Sequence, residues 1–179
     1  ILAHFQVEHF WTNGVTRNEE FWRKIERTLV QRHLHARVAE EGLVMLESAD
    51  CRMVVMNPPT SHGSLTTGKH ESLNNLSVVT ALTCGNQRML FTGDIEREAL
   101  SRLTQSGNLG HVTLLKVPHH GAQSSLEPGW LHAIRPDMAV VSAGRRNPYG
   151  HPAVGALAAY QAMETQVLRT DQAGAVWAD

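Results

Sequence analysis

The sequence predicts an α/β fold, because short apolar runs that suit β-strands alternate with segments of helical character. Three of these runs end in polar motifs, and in α/β proteins the carboxyl ends of parallel strands share one edge of the sheet, where sites form. An Asp and two or three His residues brought to that edge by three strands are typical metal ligands. The runs are 89–91, 112–117 and 138–141, and the motifs are TGD at 92–94, PHHG at 118–121 and GHP at 150–152.

Composition fits one folded domain and excludes several classes of protein. At 179 residues, with 42% hydrophobic and 18% charged residues, the chain can bury a sizeable core. A net charge of −1 gives no electrostatic footprint for nucleic acid, so such contacts would have to be local. No apolar run approaches the roughly 20 residues that span a bilayer.

Cys51 and Cys84 fall in predicted strands outside any CxxC motif, so we expect reduced core cysteines instead of a disulfide.

The amino-terminal half predicts a short strand, a helix and two further strands. Thr16 and Glu19 form a capping-box pattern at the start of the helix, whose apolar residues share one face. The first five residues have the character of a helix end, and we expect the sequence to be cut from a longer chain. The predicted elements are strands at 7–11, 43–47 and 52–57, a helix from 16 to 33 or 35, and a long polar loop at 58–73 that we expect to be functional or mobile.

The carboxy-terminal half predicts a hairpin and then alternating helices and strands. Gly85 and Asn86 are typical of a hairpin turn. Glu96 and Glu98 place acidic residues near the start of the next helix, which suits the helix dipole, and Pro152 suits the first turn of a later helix. The predicted elements are hairpin strands at 76–84 and 87–91, helices at 95–104, at 128–134 and from 152 through 163, and a closing hairpin of 166–169 and 174–178.

Five short motifs carry a resemblance to a known family. They are NNLS at 74–77, LFTGD at 90–94, LKVPHHG at 115–121, NPYGHP at 147–152 and LRTD at 168–171. In this order they resemble the metallo-β-lactamase-like domain at the carboxyl terminus of ComEC-type DNA-internalisation competence proteins. The resemblance covers 1–179 as a single domain and implies a metallo-β-lactamase-like αββα sandwich, truncated at its amino terminus. The HxDxDH motif of this group does not occur in the sequence.

The resemblance implies a metal-dependent phosphodiesterase, a nuclease that acts on single-stranded DNA during natural transformation. The family holds two divalent ions, which we expect to be Mn²⁺ or Zn²⁺, around a hydroxide nucleophile, and most of their ligands belong to the HxDxDH motif. We therefore expect the metals to be absent or partial here, and this chain to be weak or inactive by itself. The expected partners are single-stranded DNA, the membrane channel portion of the same polypeptide and other competence proteins. The parent is expected in the bacterial inner membrane, with this domain soluble on one side of it.

The resemblance also assigns roles to residues at the predicted sheet edge. Asp94 is the expected bridging carboxylate, and His151 is the expected ligand of the second metal. Asn74 or Asn75 occupies the place of a third histidine ligand, and Asn75 is the candidate metal ligand. An amide oxygen at this place suits Mn²⁺ or Mg²⁺ better than Zn²⁺. Asp94, His119 and His120 are the candidate catalytic residues. The candidate ligands of the substrate phosphate are Asn74, Arg145 and Arg146.

Each assignment also has an ordinary structural explanation. Asp94 could cap the helix that begins at Ile95, the histidine pair could bond to loop backbone, and His151 could cap the helix after Pro152. The two asparagines could shape a turn, and the two arginines could be solvated charges. Lys116 is expected to be structural, and His62 and His70 have little to suggest a site.

Other functions stay open at this point. The domain could be a catalytically inactive scaffold or a DNA-binding domain of the same channel. It could also be another hydrolase of the metallo-β-lactamase superfamily. A lactonase or glyoxalase, however, would be expected to carry histidine where Asn74 and Asn75 stand.

Overall fold

A computed structural model of the chain describes residues 4–15, 19–60 and 72–177. Within these ranges the chain forms a mixed sheet of seven strands, a separate pair of short strands and several helices. The strands are β1 Phe10–Thr12, β2 Ala36–Val38, β3 Val44–Glu47, β4 Cys51–Asn57, β5 Val79–Cys84, β6 Gln87–Phe91, β7 Leu114–Lys116, β8 Met138–Val141 and β9 Gln166–Arg169. The helices are α1 Glu19–Gln31, α2 Arg97–Gln105, α3 Pro128–Ile134, α4 Val154–Ala162 and α5 Thr170–Ala173.

The order of the large sheet follows the order of the sequence, from β3 to β9. Strands β3 to β6 pair antiparallel, whereas β6 to β9 pair parallel. Parallel neighbours need crossover connections, and α2, α3 and α4 occupy these connections. As a result the carboxyl ends of β6, β7 and β8 lie side by side at one edge of the sheet.

The main core lies between the sheet and the helices of the crossover connections. Alternate residues of the strands are buried, as a sheet with one packed face requires. Trp130 and Ile134 of α3 and Leu100 of α2 are almost fully buried against them. The buried strand residues of this cluster are Val79, Ala81, Leu90, Leu115, Ala139 and Val141.

The predicted α/β class is confirmed, and most predicted elements are present. The closing hairpin is wrong, because β9 is followed by the short helix α5 instead of a turn and a second strand. Thr170 explains this ending: its hydroxyl donates to the Ala143 carbonyl at 2.9 Å and accepts from the Ala143 N–H at 2.9 Å, which ties the chain back to the end of β8. The structure also has one strand, β2, that the sequence pattern did not predict.

Some predicted features fall on residues outside the described ranges. Thr16 of the expected capping box is one of them. The predicted polar loop at 58–73, with His62 and His70, lies mostly outside the described ranges. None of the helices in the described ranges combines the length and the apolar composition that a membrane span needs.

The expectation of reduced cysteines is wrong, because Cys51 and Cys84 form a disulfide. The two residues lie opposite each other in the antiparallel register of β4 and β5, with their Cα atoms 4.2 Å apart. They are 33 residues apart in sequence, so only the strand register brings them together. The bond joins the strands at the edge opposite to the carboxyl ends of the parallel strands.

Replacing both Cys51 and Cys84 with serine should lower the free energy of unfolding by about 2–4 kcal/mol, because the bond closes a long loop in the unfolded chain. Urea unfolding followed by circular dichroism measures this difference. Reductant should destabilise the wild-type chain and leave the double variant unchanged. Equal unfolding midpoints for the oxidised wild-type chain and the variant would show that the disulfide contributes no stability.

Candidate functional site

The candidate residues meet where three neighbouring parallel strands end. Asp94 follows β6, His119 and His120 follow β7, and His151 lies in the loop after β8. His120 Nε2 is 3.5 Å from Asp94 Oδ1, and the ring centroid of His119 is 5.7 Å from that of His151. The two rings of the histidine pair are 6.2 Å apart. The structure therefore brings together four of the five side chains that the sequence assigned to catalysis or metal binding, the exception being Asn75.

Gly93 places the loop of Asp94 against a neighbouring segment. Its φ of +56° is the left-handed conformation that glycine adopts without strain. A Cβ atom at this position would lie 2.7 Å from the Cβ of Ser77, so only glycine allows this approach. Ser77 Oγ in turn accepts a hydrogen bond of 3.1 Å from the Asp94 N–H. These contacts of Gly93 and of the Asp94 N–H fix the backbone from which the Asp94 carboxylate extends.

Gly121 fixes the histidine pair in a similar way. Its φ is +79°, and a Cβ there would lie 2.7 Å from the Cβ of Pro152. The Gly121 carbonyl accepts a hydrogen bond of 2.9 Å from the Ala153 N–H. The loop after β7 is therefore packed directly on the segment that carries His151.

The histidine pair itself has an unusual backbone. His119 and His120 both have positive φ, 46° and 57°, which is uncommon for residues with a Cβ. Such conformations persist only where surrounding contacts impose them, and they are concentrated at functional sites. Here the His119 N–H donates to the Gly93 carbonyl at 3.2 Å, which links the pair to the loop of Asp94.

His120 is oriented by a backbone carbonyl. Its Nδ1 is 2.6 Å from the Ser142 carbonyl oxygen, which can only accept, so Nδ1 carries the proton. Nε2, the other ring nitrogen, faces Asp94. Histidine metal ligands usually have this orientation, in which the ring nitrogen that does not bind the metal donates a hydrogen bond to a carbonyl or carboxylate oxygen.

His119 is oriented by Glu96. The sequence predicted Glu96 only as an acidic residue near the start of a helix. Glu96 Oε1 lies 3.1 Å from His119 Nδ1, and both side chains are mostly buried. The same oxygen accepts hydrogen bonds of 3.2 Å from Asn74 Nδ2 and from Ser124 Oγ. Asn74, expected to contact phosphate, thus contacts Glu96. The signal for Glu96 was its position next to the Asp94 motif at the same sheet edge.

The structure does not support Asn75 as a metal ligand. The residue is fully buried, and its amide oxygen accepts from the Glu96 N–H at 2.8 Å and the Ala99 N–H at 3.4 Å. Its amide nitrogen donates to Glu98 Oε2 at 2.9 Å, which lowers the pKa of Glu98. Asn75 therefore caps the start of α2, where backbone N–H groups have no partner within the helix.

Lys116 was expected to be structural, and it also lies in the site. Its Nζ donates to the Gly93 carbonyl at 2.6 Å and is 3.5 Å from Asp94 Oδ1. Burial lowers the pKa of Lys116, and the attraction of Asp94 acts in the opposite direction. The sequence pattern could have indicated this position, because Lys116 is a lysine in an otherwise apolar strand that ends at this edge.

His151 is held by Asn147. The Asn147 Oδ1 accepts from the His151 N–H at 2.9 Å, and its Nδ2 donates to the His151 carbonyl at 2.8 Å. Burial, and then the neighbouring His119 and His120, lower the pKa of His151. A neutral imidazole is favoured, which is the form that binds metals. The candidate phosphate ligands Arg145 and Arg146 are exposed in the same loop.

The described residues do not form a metal site by themselves. Within the ranges that the structure covers, no group of three or more His, Cys, Asp or Glu side chains is arranged to hold a metal ion. Asp94 Oδ1 and His120 Nε2 face each other, but a catalytic metal takes about three protein ligands.

Comparison with known proteins gives clear relatives, although no family model matches the chain. ComE operon protein 3 of Bacillus subtilis is 34% identical over 105 residues, which are 59% of this chain and 14% of that protein. Competence protein ComA of Neisseria gonorrhoeae is 33% identical over 105 residues, 58% of this chain and 15% of that protein. Recombination protein 2 of Haemophilus influenzae is 37% identical over 79 residues, 44% of this chain and 10% of that protein. The chain is homologous to the ComEC-type competence proteins.

These relatives confirm the resemblance that the five motifs indicated. The chain spans only about a seventh of the length of the first two relatives, at 14% and 15%. A solved structure is also similar, that of a presumed metal-dependent hydrolase from Parabacteroides distasonis. It has a TM-score of 0.47 and 14% identity, and the match covers 80% of this chain and 61% of the other.

In Gly121→Ala, backbone strain by itself should lower the free energy of unfolding by about 1–3 kcal/mol. The clash of the added methyl group with Pro152 should lower it further. Gly107→Ala is the matched control, since Gly107 has a φ of +70° and no atom within 4 Å of an added Cβ. The control should carry only the strain. Urea unfolding of both variants measures the difference, and equal losses would show that Gly121 does not need its close approach to Pro152.

Proposed function

We propose that this sheet edge is part of the active site of a metal-dependent phosphodiesterase that acts on single-stranded DNA in a DNA-uptake protein. The observation that carries the proposal is the meeting of Asp94, His119, His120 and His151 at the ends of three adjacent parallel strands. Homology to competence proteins supports a role in DNA uptake. An Asp and three His at one edge are the residue types that phosphodiester hydrolysis uses.

The proposal includes the fold and the setting of the parent protein. A single metallo-β-lactamase-like αββα domain is supported by the mixed sheet with helices in its crossover connections. The parent is a bacterial inner-membrane protein in which this domain works beside a membrane channel and other competence proteins. The relatives named for competence support that setting.

We propose that His119 transfers a proton during the reaction. The Glu96 carboxylate lies 3.1 Å from Nδ1 of His119, so Nε2 is the ring nitrogen that we propose exchanges a proton with a substrate oxygen. When Nε2 is protonated, it can donate to the oxygen that leaves phosphorus, and the Glu96 carboxylate stabilises the positive ring. Asn74 and Ser124 hold the carboxylate in place for this task.

Asp94 and His151 are proposed to contribute metal ligands. Divalent ions, when bound, would supply an activated hydroxide and positive charge at the scissile phosphate. Since the described residues lack a complete ligand group, we propose that the remaining ligands come from a segment with the HxDxDH motif. Arg145 and Arg146 are proposed to attract the phosphates of the strand near this edge.

In a form of the protein that includes an HxDxDH segment, Asp94→Ala and His151→Ala should each reduce Mn²⁺-dependent cleavage of single-stranded DNA more than 100-fold. This exceeds the roughly 10- to 100-fold loss typical of residues that only support metal ligands. His132→Ala, an exposed histidine of α3, is the control and should retain full activity. Cleavage of an end-labelled oligonucleotide gives the rates. Full activity of the 179-residue chain alone, or a silent Asp94→Ala, would contradict the proposal.

In the same form of the protein, Glu96→Gln should lower kcat by about 10- to 100-fold and leave KM nearly unchanged, because Glu96 acts through His119 instead of touching DNA. Asp137→Asn is the matched control. Asp137 makes a comparable contact with His111, at 2.9 Å, between exposed side chains outside the site. Steady-state kinetics should show a normal kcat for the control. A normal kcat for Glu96→Gln would exclude the role of Glu96 in orienting the His119 ring.

A further inference from the structure

Tyr149 is a large aromatic residue that is left exposed beside the site. The residue is 79% exposed, although its neighbour in the motif, His151, is half-buried. The two rings are nearly parallel, with an interplanar angle of 14° and centroids 5.9 Å apart. The contact with His151 leaves most of the tyrosine ring open to solvent.

The loop that carries Tyr149 has a fixed shape. Asn147 donates to the Gly144 carbonyl at 2.9 Å and bonds to both backbone groups of His151. These bonds close the loop around Tyr149, so the ring is held in front of the site by its anchored neighbours. A rigid exposed aromatic costs little conformational entropy when a ligand covers it.

Tyr149 forms a wall of a cavity of about 420 Å³ that opens next to the histidines. The cavity is also lined by His120, His151 and Asn147, and by Ala143 on an apolar side. Its volume lies within the range of sites that hold small organic groups. One cavity thus offers an aromatic ring and two histidine rings that could face a phosphate.

We propose that Tyr149 stacks on a nucleobase of the single strand whose phosphate lies at His120 and His151. This inference rests on the proposed function and adds a base-binding subsite to it. Every base has a π-face, so an aromatic platform holds a strand without reading its sequence. Bases in a duplex are stacked on one another, so only an unpaired base is free to bind this way.

The charge of the chain favours the same conclusion. A net charge of −1 provides no general attraction for a polyanion, so affinity for DNA must come from local contacts. Stacking supplies such a contact, because it is independent of charge. Arg145 and Arg146, exposed on the same loop, add positive charge next to the proposed base position.

The experiment compares two probes of equal length and charge, an oligothymidylate and a fully abasic oligonucleotide, both labelled and measured by fluorescence anisotropy. The full chain is used with EDTA, so that binding is measured without cleavage. Tyr149→Ala should weaken binding of the oligothymidylate about 5-fold or more and leave binding of the abasic probe unchanged. Tyr149→Phe keeps the ring and should bind both probes like the wild-type chain.

Phe21→Ala is the matched control, since Phe21 is 62% exposed on α1 and does not line the cavity. It should bind both probes normally. Equal effects of Tyr149→Ala on the two probes, or a wild-type chain that does not prefer the base-bearing probe, would overturn the stacking proposal. Because EDTA removes the metal, this experiment measures binding independently of cleavage. If base-dependent binding is lost, the hydrolysis proposal is unaffected. If an inactive protein still binds in a base-dependent way, the stacking proposal is unaffected.

Discussion

The site depends on the close approach of the Gly93 backbone to Ser77. A side chain at Gly93 would occupy the place of the Ser77 side chain, and Ser77 is what binds the Asp94 N–H. The Gly93 carbonyl also receives the Lys116 ammonium and the His119 N–H. One peptide unit thus joins the loop before β5, the end of β6 and the loop after β7. The second approach, of Gly121 to Pro152, adds the loop after β8 to this assembly.

Around this frame, each member of the histidine pair has a partner on Nδ1, on the side of its ring away from Nε2. His120 is held by the Ser142 carbonyl, and His119 is held by Glu96. The Ser142 carbonyl places the proton of His120 on Nδ1. In both histidines the partner lies at Nδ1, which leaves Nε2 at the sheet edge. The geometry therefore separates the side chains that reach the sheet edge from the residues that hold them, a distinction that residue type alone does not reveal.

The parts of the structure that follow from chain order were predictable from the sequence. Strands that end in Asp94, in the histidine pair and before His151 are consecutive and parallel, so their ends meet. The roles of Asn75 and Glu96 were not predictable, because they depend on which way a side chain turns after the fold has formed. The disulfide was missed for a related reason: the register that places Cys51 opposite Cys84 is set by strand pairing across a long connection.

The most direct test of the account is the position of a bound metal. A crystal structure of the domain with an HxDxDH segment, grown with Mn²⁺ and measured at the manganese absorption edge, locates the ion by its anomalous scattering. We expect manganese in direct contact with the Asp94 carboxylate and the His151 imidazole, at the edge where β6, β7 and β8 end. Manganese bound elsewhere in the domain, with these two side chains free of metal, would contradict it.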